Sequence, residues 1–101
     1  MKYERTASAK ADWERLSEKE RRLFKQVVSE INEAAGPHPK RIPHFPSHLR
    51  VGQLEDRPGI YEMTWSFAGP DGRATFEFFT ADGEVGLRWR RIGDHGIFKD
   101  P

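Results

Sequence analysis

The sequence contains no cysteine, two methionines and no apolar run approaching the ~18 residues of a membrane span. Without cysteine there is no disulfide framework, no thiolate zinc finger and no thiol nucleophile. That composition fits a reducing compartment. The N-terminus, Met1-Lys2-Tyr3-Glu4-Arg5, is polar, so neither a signal peptide nor a spanning helix is expected, and the expected location is the cytoplasm, off the membrane. No Gly-rich phosphate loop, His-Glu-x-x-His pair or Gly-x-Ser-x-Gly elbow occurs. Their absence removes support for nucleotide hydrolases, zinc proteases and α/β-hydrolases. A dominant charge is missing too: 17 Lys+Arg stand against 16 Asp+Glu. The resulting net charge of +1 argues against a uniformly basic nucleic-acid binder.

What is present is a chain of 101 residues, sized for one domain over 1–101. The mean hydropathy is low, −0.82, but aromatics make up 12% of the residues. Disordered chains are poor in aromatics, so the sequence reads as a small folded domain. Its charge is unevenly spread. Residues 1–50 carry 11 Lys+Arg and 7 Asp+Glu, a balance of +4, whereas residues 51–101 carry 6 and 9, a balance of −3. Basic residues gather at Lys40, Arg41 and Arg50, and again at Arg88, Arg90 and Arg91.

The periodicity predicts an α+β fold: an N-terminal strand and a two-helix hairpin packed on an antiparallel β-sheet. Residues 1–5 read as a short strand. Ser8 is placed to cap a helix over 9–16, with Ala9, Trp13 and Leu16 on one face. Ser17 and Glu20 form a capping-box pattern opening a second helix to about Ala35. Its stripe is Leu23, Phe24, Val27, Val28 and Ile31, and Gly36-Pro37 ends it. Five prolines mark residues 36–59 as an irregular connection with a short strand near Leu49–Leu54. The period then changes to two. Tyr61, Met63, Trp65 and Phe67 face inward in one strand, Ala74, Phe76 and Phe78 in the next, and Val85, Leu87 and Trp89 in the third. Turns are expected at Gly69-Pro70-Asp71-Gly72 and Ala81-Asp82-Gly83.

The opposite, polar face collects Glu62, Thr64, Arg73, Glu77, Arg88 and Arg90, with His95 and Lys99 just beyond the third strand. Such charges ordinarily form a solvated face. The same set could also cleave RNA without a metal. Glu62 or His95 would take the proton of the 2′-hydroxyl, His95 would protonate the leaving 5′-oxygen, and arginines would clamp the phosphate. Arg91 shares the parity of Trp89 and points coreward unless a bulge re-aims it. His38, His44 and His48 lie among prolines, and residues 34–54 hold no carboxylate, so a zinc site is not expected. No cofactor is expected. Lys19, Arg21, Arg22 and Lys25 give the second helix a basic face, either solvated or an RNA or ribosome contact. Phe79 is outward by parity and either stacks on a base or fills a local contact.

In this order of elements the chain resembles the RelE/ParE superfamily of bacterial type II toxins. The resemblance is carried by Leu54 through Met63, by Gly72-Arg73-Ala74-Thr75-Phe76 and by Trp89 through Phe98. It implies a toxin restrained by a cognate antitoxin, either a RelE-like nuclease cutting mRNA in the ribosome or a ParE-like inhibitor of DNA gyrase. An inactive partner-binding homologue is a further alternative. On this resemblance Arg73 matches a phosphate-binding arginine and His95 a C-terminal catalytic histidine, while Glu62 matches a glutamate of the motif that spans Leu54 through Met63. Arg91 is a further catalytic candidate. Arg88, Arg90, Lys99 and Phe98 are the expected RNA-binding residues. Thr64 stands where the family pattern has arginine, and Phe98 where it commonly has tyrosine. A monomer or homodimer is expected in the free state.

Overall fold

The computed structural model describes residues 1–36, 40, 42–66 and 71–101. Pro37, His38, Pro39, Arg41, Phe67, Gly69 and Pro70, about which expectations were stated above, lie outside them. The elements run β1 (Lys2–Arg5), α1 (Ala7–Arg15), α2 (Glu18–Ala35), a 3₁₀ turn (Ser47–Leu49), β2 (Gly52–Gln53), β3 (Tyr61–Ser66), β4 (Gly72–Ala81), β5 (Glu84–Gly93) and a 3₁₀ helix (His95–Lys99). They form the expected α+β arrangement. The five-stranded sheet has the order β1-β5-β4-β3-β2. It is antiparallel except where β1 pairs parallel with β5, Tyr3 opposite Leu87. That parallel edge departs from a purely antiparallel sheet. It is possible because β1 and β5 are joined by most of the chain rather than by a tight turn, which would force them antiparallel.

The helices begin where side chains satisfy their free N–H groups. At α2 the capping box is complete: the Ser17 hydroxyl accepts from Glu20 N at 3.1 Å, and Glu20 accepts from Ser17 N at 2.8 Å. At α1 the cap is Thr6, not Ser8. A tertiary contact decides this. The Thr6 hydroxyl accepts from Ala9 N and donates to Arg90 O at 2.8 Å, so the same side chain starts the helix and ties it to β5. The basic face of α2 is partly engaged. Arg21 donates to Trp13 O at 3.1 Å, and its guanidinium lies 5.5 Å from the Trp13 ring centroid.

The inward face of the sheet meets the stripe of α2 at an aromatic centre. Phe24 touches Trp13, Trp65 and Trp89 edge-on, with centroid distances of 5.9, 5.7 and 4.9 Å. Ile31, Met63, Ala74, Phe76 and Leu87 are fully buried around it. The proline-rich connection adds two residues that its aperiodic sequence did not mark as core: Leu49 is fully buried, and Phe45 packs on Phe76 and Phe78. Among the described residues no helix is long and apolar enough to cross a membrane.

Candidate functional site

Strand register sorts the polar residues into rows. Thr64 faces Arg73, which faces Gly93. Glu62 faces Thr75, and Glu4, Arg88 and Glu77 line up across β1, β5 and β4. A β-bulge interrupts β5: Thr75 pairs with Arg91 but Phe76 pairs with Trp89, leaving Arg90 as the extra residue. The bulge lets Ile92 take an inward position beside Ala74 and keeps Arg90 on the outer face. It sends Arg91 toward α1.

Arg73 sits at the start of β4, where its backbone is pinned by Trp65 Nε1 donating to its carbonyl at 2.9 Å. Gly72 precedes it because a Cβ there would lie 2.6 Å from the Trp65 ring. The Arg73 guanidinium approaches Asp71 at 3.7 Å, while its Nε is buried without a hydrogen-bond partner. The neighbouring hydroxyls of Thr64 and Thr75 are likewise buried and unpartnered. This is a departure from an open polar face. The chain after β5 turns back over it, and Arg90 Nε and Nη2 donate to Pro101 O at 3.4 and 3.3 Å. Glu62 is half-buried in the adjoining row.

The 3₁₀ helix carries the other expected residues. Asp94 caps it by accepting from Gly96 N at 2.8 Å. His95 is exposed, and its ring meets Phe98 edge-on with centroids 5.1 Å apart. Lys99 is exposed at its end. Because Arg73 pairs with Gly93, two residues before His95, the fold brings Arg73, His95, Phe98 and Lys99 to one end of the sheet.

Arg88 and Arg90 lie farther along and are already paired. Arg88 Nη2 and Nε reach Glu4 at 2.8 and 2.9 Å, and Arg88 Nη1 approaches Glu77 at 3.8 Å. Arg90 Nη1 donates to Glu77 at 3.0 Å. Phe79 fills a local contact: its ring covers Gly86, where a Cβ would fall 2.2 Å from ring carbon, and the Arg88 guanidinium lies 4.9 Å from its centroid.

Arg91 departs most from its expected place among reacting groups. Its Nε and Nη2 donate to the two carboxylate oxygens of Asp12 at 2.7 and 3.2 Å, and Nη1 donates to Asp100 O at 2.9 Å. The Asp12 hydrogen bond raises the Arg91 pKa, partial burial opposes it, and the charges of Asp12 and Asp100 add to the rise. Asp12 is only 5% exposed and also accepts from Ile92 N at 3.0 Å. Sequence reasoning passed over Asp12, although a signal existed. It lies three residues after Ala9 and four before Leu16, so a carboxylate sits on an apolar stripe. Asp12, Arg15, Lys19, Trp65, Arg91 and Ile97 line a cleft of about 530 Å³ between the helices and the strand ends, apart from the Glu77 row.

Among the described residues no three metal-ligating side chains converge. His48 instead meets Glu30 of α2 at 3.2 Å, a partner lying just outside the window 34–54.

Several solved structures share this architecture. A YoeB/ParE toxin from Agrobacterium tumefaciens superposes with a TM-score of 0.63 at 18% identity, covering 94% of this chain and 99% of that one. An E. coli RelE double mutant in the free state gives 0.60 at 15% identity, covering 98% and 90%. A chain of the intact E. coli RelBE toxin–antitoxin complex gives 0.58 at 15% identity, covering 92% and 94%. No family model matches the sequence, and no curated protein does. The strand, helical hairpin and five-stranded sheet, aligned over nearly the full length of each chain, are those of the RelE/ParE-like toxin fold.

Proposed function

We propose that this chain is the toxin of a toxin–antitoxin pair and that it cleaves mRNA at the ribosome by side-chain acid–base chemistry. The observation that carries this reading is the gathering of Arg73, His95 and Lys99 at one end of the sheet, in a fold shared with RelE and YoeB/ParE toxins. In the proposed step the RNA 2′-hydroxyl oxygen bonds to the adjacent phosphorus as the bond to the 5′-oxygen breaks. Glu62 or His95 takes the hydroxyl proton, and a protonated His95 supplies one to the leaving oxygen. Arg73 and Lys99 stabilise the charge that builds on the phosphoryl oxygens. The products are a 2′,3′-cyclic phosphate and a 5′-hydroxyl. Arg91 serves this site indirectly, by holding the C-terminal segment through Asp100. A cognate antitoxin is the proposed protein partner, by likeness to the RelBE complex.

One observation favours a second reading, a binder that does not cut RNA, such as a gyrase inhibitor. Arg73, Arg88, Arg90 and Arg91 each already meet a carboxylate. Cell-free translation with mapping of mRNA 5′ ends separates the two. Cleavage predicts new 5′-hydroxyl ends, and Arg73→Ala or His95→Ala should lower the rate by about 10²-fold or more. Intact mRNA together with gyrase-dependent DNA breaks, insensitive to His95→Ala, would replace the first reading with the second.

A further inference from the structure

Glu77 occupies the middle of the polar face, directly across from Arg88. One of its carboxylate oxygens serves two guanidinium groups, Arg90 Nη1 at 3.0 Å and Arg88 Nη1 at 3.8 Å. Glu4 holds the other side of Arg88, so the row alternates in sign across three strands. The three central side chains are only 28–33% exposed, which limits screening by water. A guanidinium fork fits carboxylate and phosphate oxygens in the same geometry. Glu4 and the Pro101 carbonyl hold the remaining nitrogens, so a phosphate approaching the shared Nη1 edge of Arg88 and Arg90 must replace Glu77. The glutamate stays beside it, because the β4–β5 ladder runs on past Glu77 to Ala81 and holds its backbone opposite Arg88.

We propose that Glu77 is a built-in competitor for RNA phosphates, occupying the Nη1 groups of Arg88 and Arg90 until a single-stranded polyanion displaces it. This inference rests on the RNA reading above and adds a threshold to it. A single phosphate cannot offset both the lost ion pairs and the repulsion of the retained carboxylate. Several phosphates arriving on one strand can, since each releases counterions. The device therefore selects RNA strands over mononucleotides and inorganic phosphate.

The test is binding of a labelled single-stranded RNA oligonucleotide, by fluorescence anisotropy over a salt series. Glu77→Gln should bind about three- to tenfold tighter at low salt, and its log–log salt slope should steepen by about 0.7 to 1.4, one to two additional phosphate contacts. Glu84→Gln makes the same change in net charge, but Glu84 pairs with Lys2 at the far end of the sheet; it should leave affinity near that of the parent. Glu4→Gln, which releases Arg88 alone, should give a smaller gain of the same sign. It carries the test if Glu77→Gln fails a melting check. Adding Arg88→Gln to Glu77→Gln should remove most of the gain. Affinity for Glu77→Gln no greater than for Glu84→Gln overturns the proposal, as does an absence of RNA binding by all variants. Tighter binding with no RNA cut by any variant upholds this inference and overturns the cleavage reading. RNA cut by the parent with no response to Glu77→Gln does the reverse.

Discussion

Asp12 shows how one side chain can join distant parts of a small domain. Its two oxygens accept from Arg91 and from Ile92 N, across separations of 79 and 80 residues. Arg91 in turn holds Asp100 O. A buried ion pair that loses one partner leaves the other charge uncompensated. Asp12→Asn should therefore lower stability by about 2–3 kcal/mol, discounted for the partial exposure of Arg91, and a denaturant melt measures it. Amide exchange in residues 94–100 should rise with it. Gly86 is a second single-residue dependence. A methyl group at this position collides with Phe79, so Gly86→Ala should cost about 1–3 kcal/mol by thermal melting. The apolar setting of Asp12 was legible in the sequence, because helical spacing is local. Its partner was not, because no local rule joins a helix residue to a strand most of the chain away.

Among the elements, α2 was the most legible. Its capping box and apolar stripe are short-range patterns, and both are realised: Phe24, Val27 and Ile31 are buried. Ser17→Ala removes one cap hydrogen bond and should cost about 1 kcal/mol. The cap of α1 was less legible, since Thr6 and Ser8 are chemically equivalent candidates and only the contact with Arg90 O separates them. Strand β1 is held by Tyr3, whose hydroxyl donates to Asn32 of α2 at 2.9 Å and whose ring stacks on Trp89. Burial pushes the Tyr3 phenol up to about 12 from 10.0. The folded state thus disfavours the phenolate. Stability therefore falls as pH rises from ~10 through ~12, where the folded state resists losing the proton that the unfolded chain gives up. A stability–pH series should fall across that window, and Tyr3→Phe should flatten the fall.

At the scale of the whole molecule, stability converges on few contacts. A domain of this size has a total stability of about 5–15 kcal/mol. Phe24 meets three tryptophans at the junction of both helices and the sheet. Phe24→Ala should cost about 3–5 kcal/mol and leave the chain marginal at 37 °C, as read by the loss of its cooperative melt. Electrostatics at this scale is balanced rather than basic. The whole chain carries +1, and on the polar face Glu4, Asp71 and Glu77 each meet an arginine, as Asp12 does in the helix-side cleft. Any polyanion contact is therefore local.

The sequence by itself determined the fold class, the element order, the core stripes and the residue types available for chemistry. Each follows from periodicities of two or 3.6 residues and from local caps and turns. The tertiary structure alone decided the parallel edge between β1 and β5, the bulge at Arg90, the burial of Thr64 and Thr75, the return of the C-terminal segment to Arg90 and Arg91, and the partner of every arginine on the face. These depend on cross-strand register and on contacts between residues far apart in the chain. Alternation can say which side of a strand a charge takes, but only register brings a carboxylate opposite it.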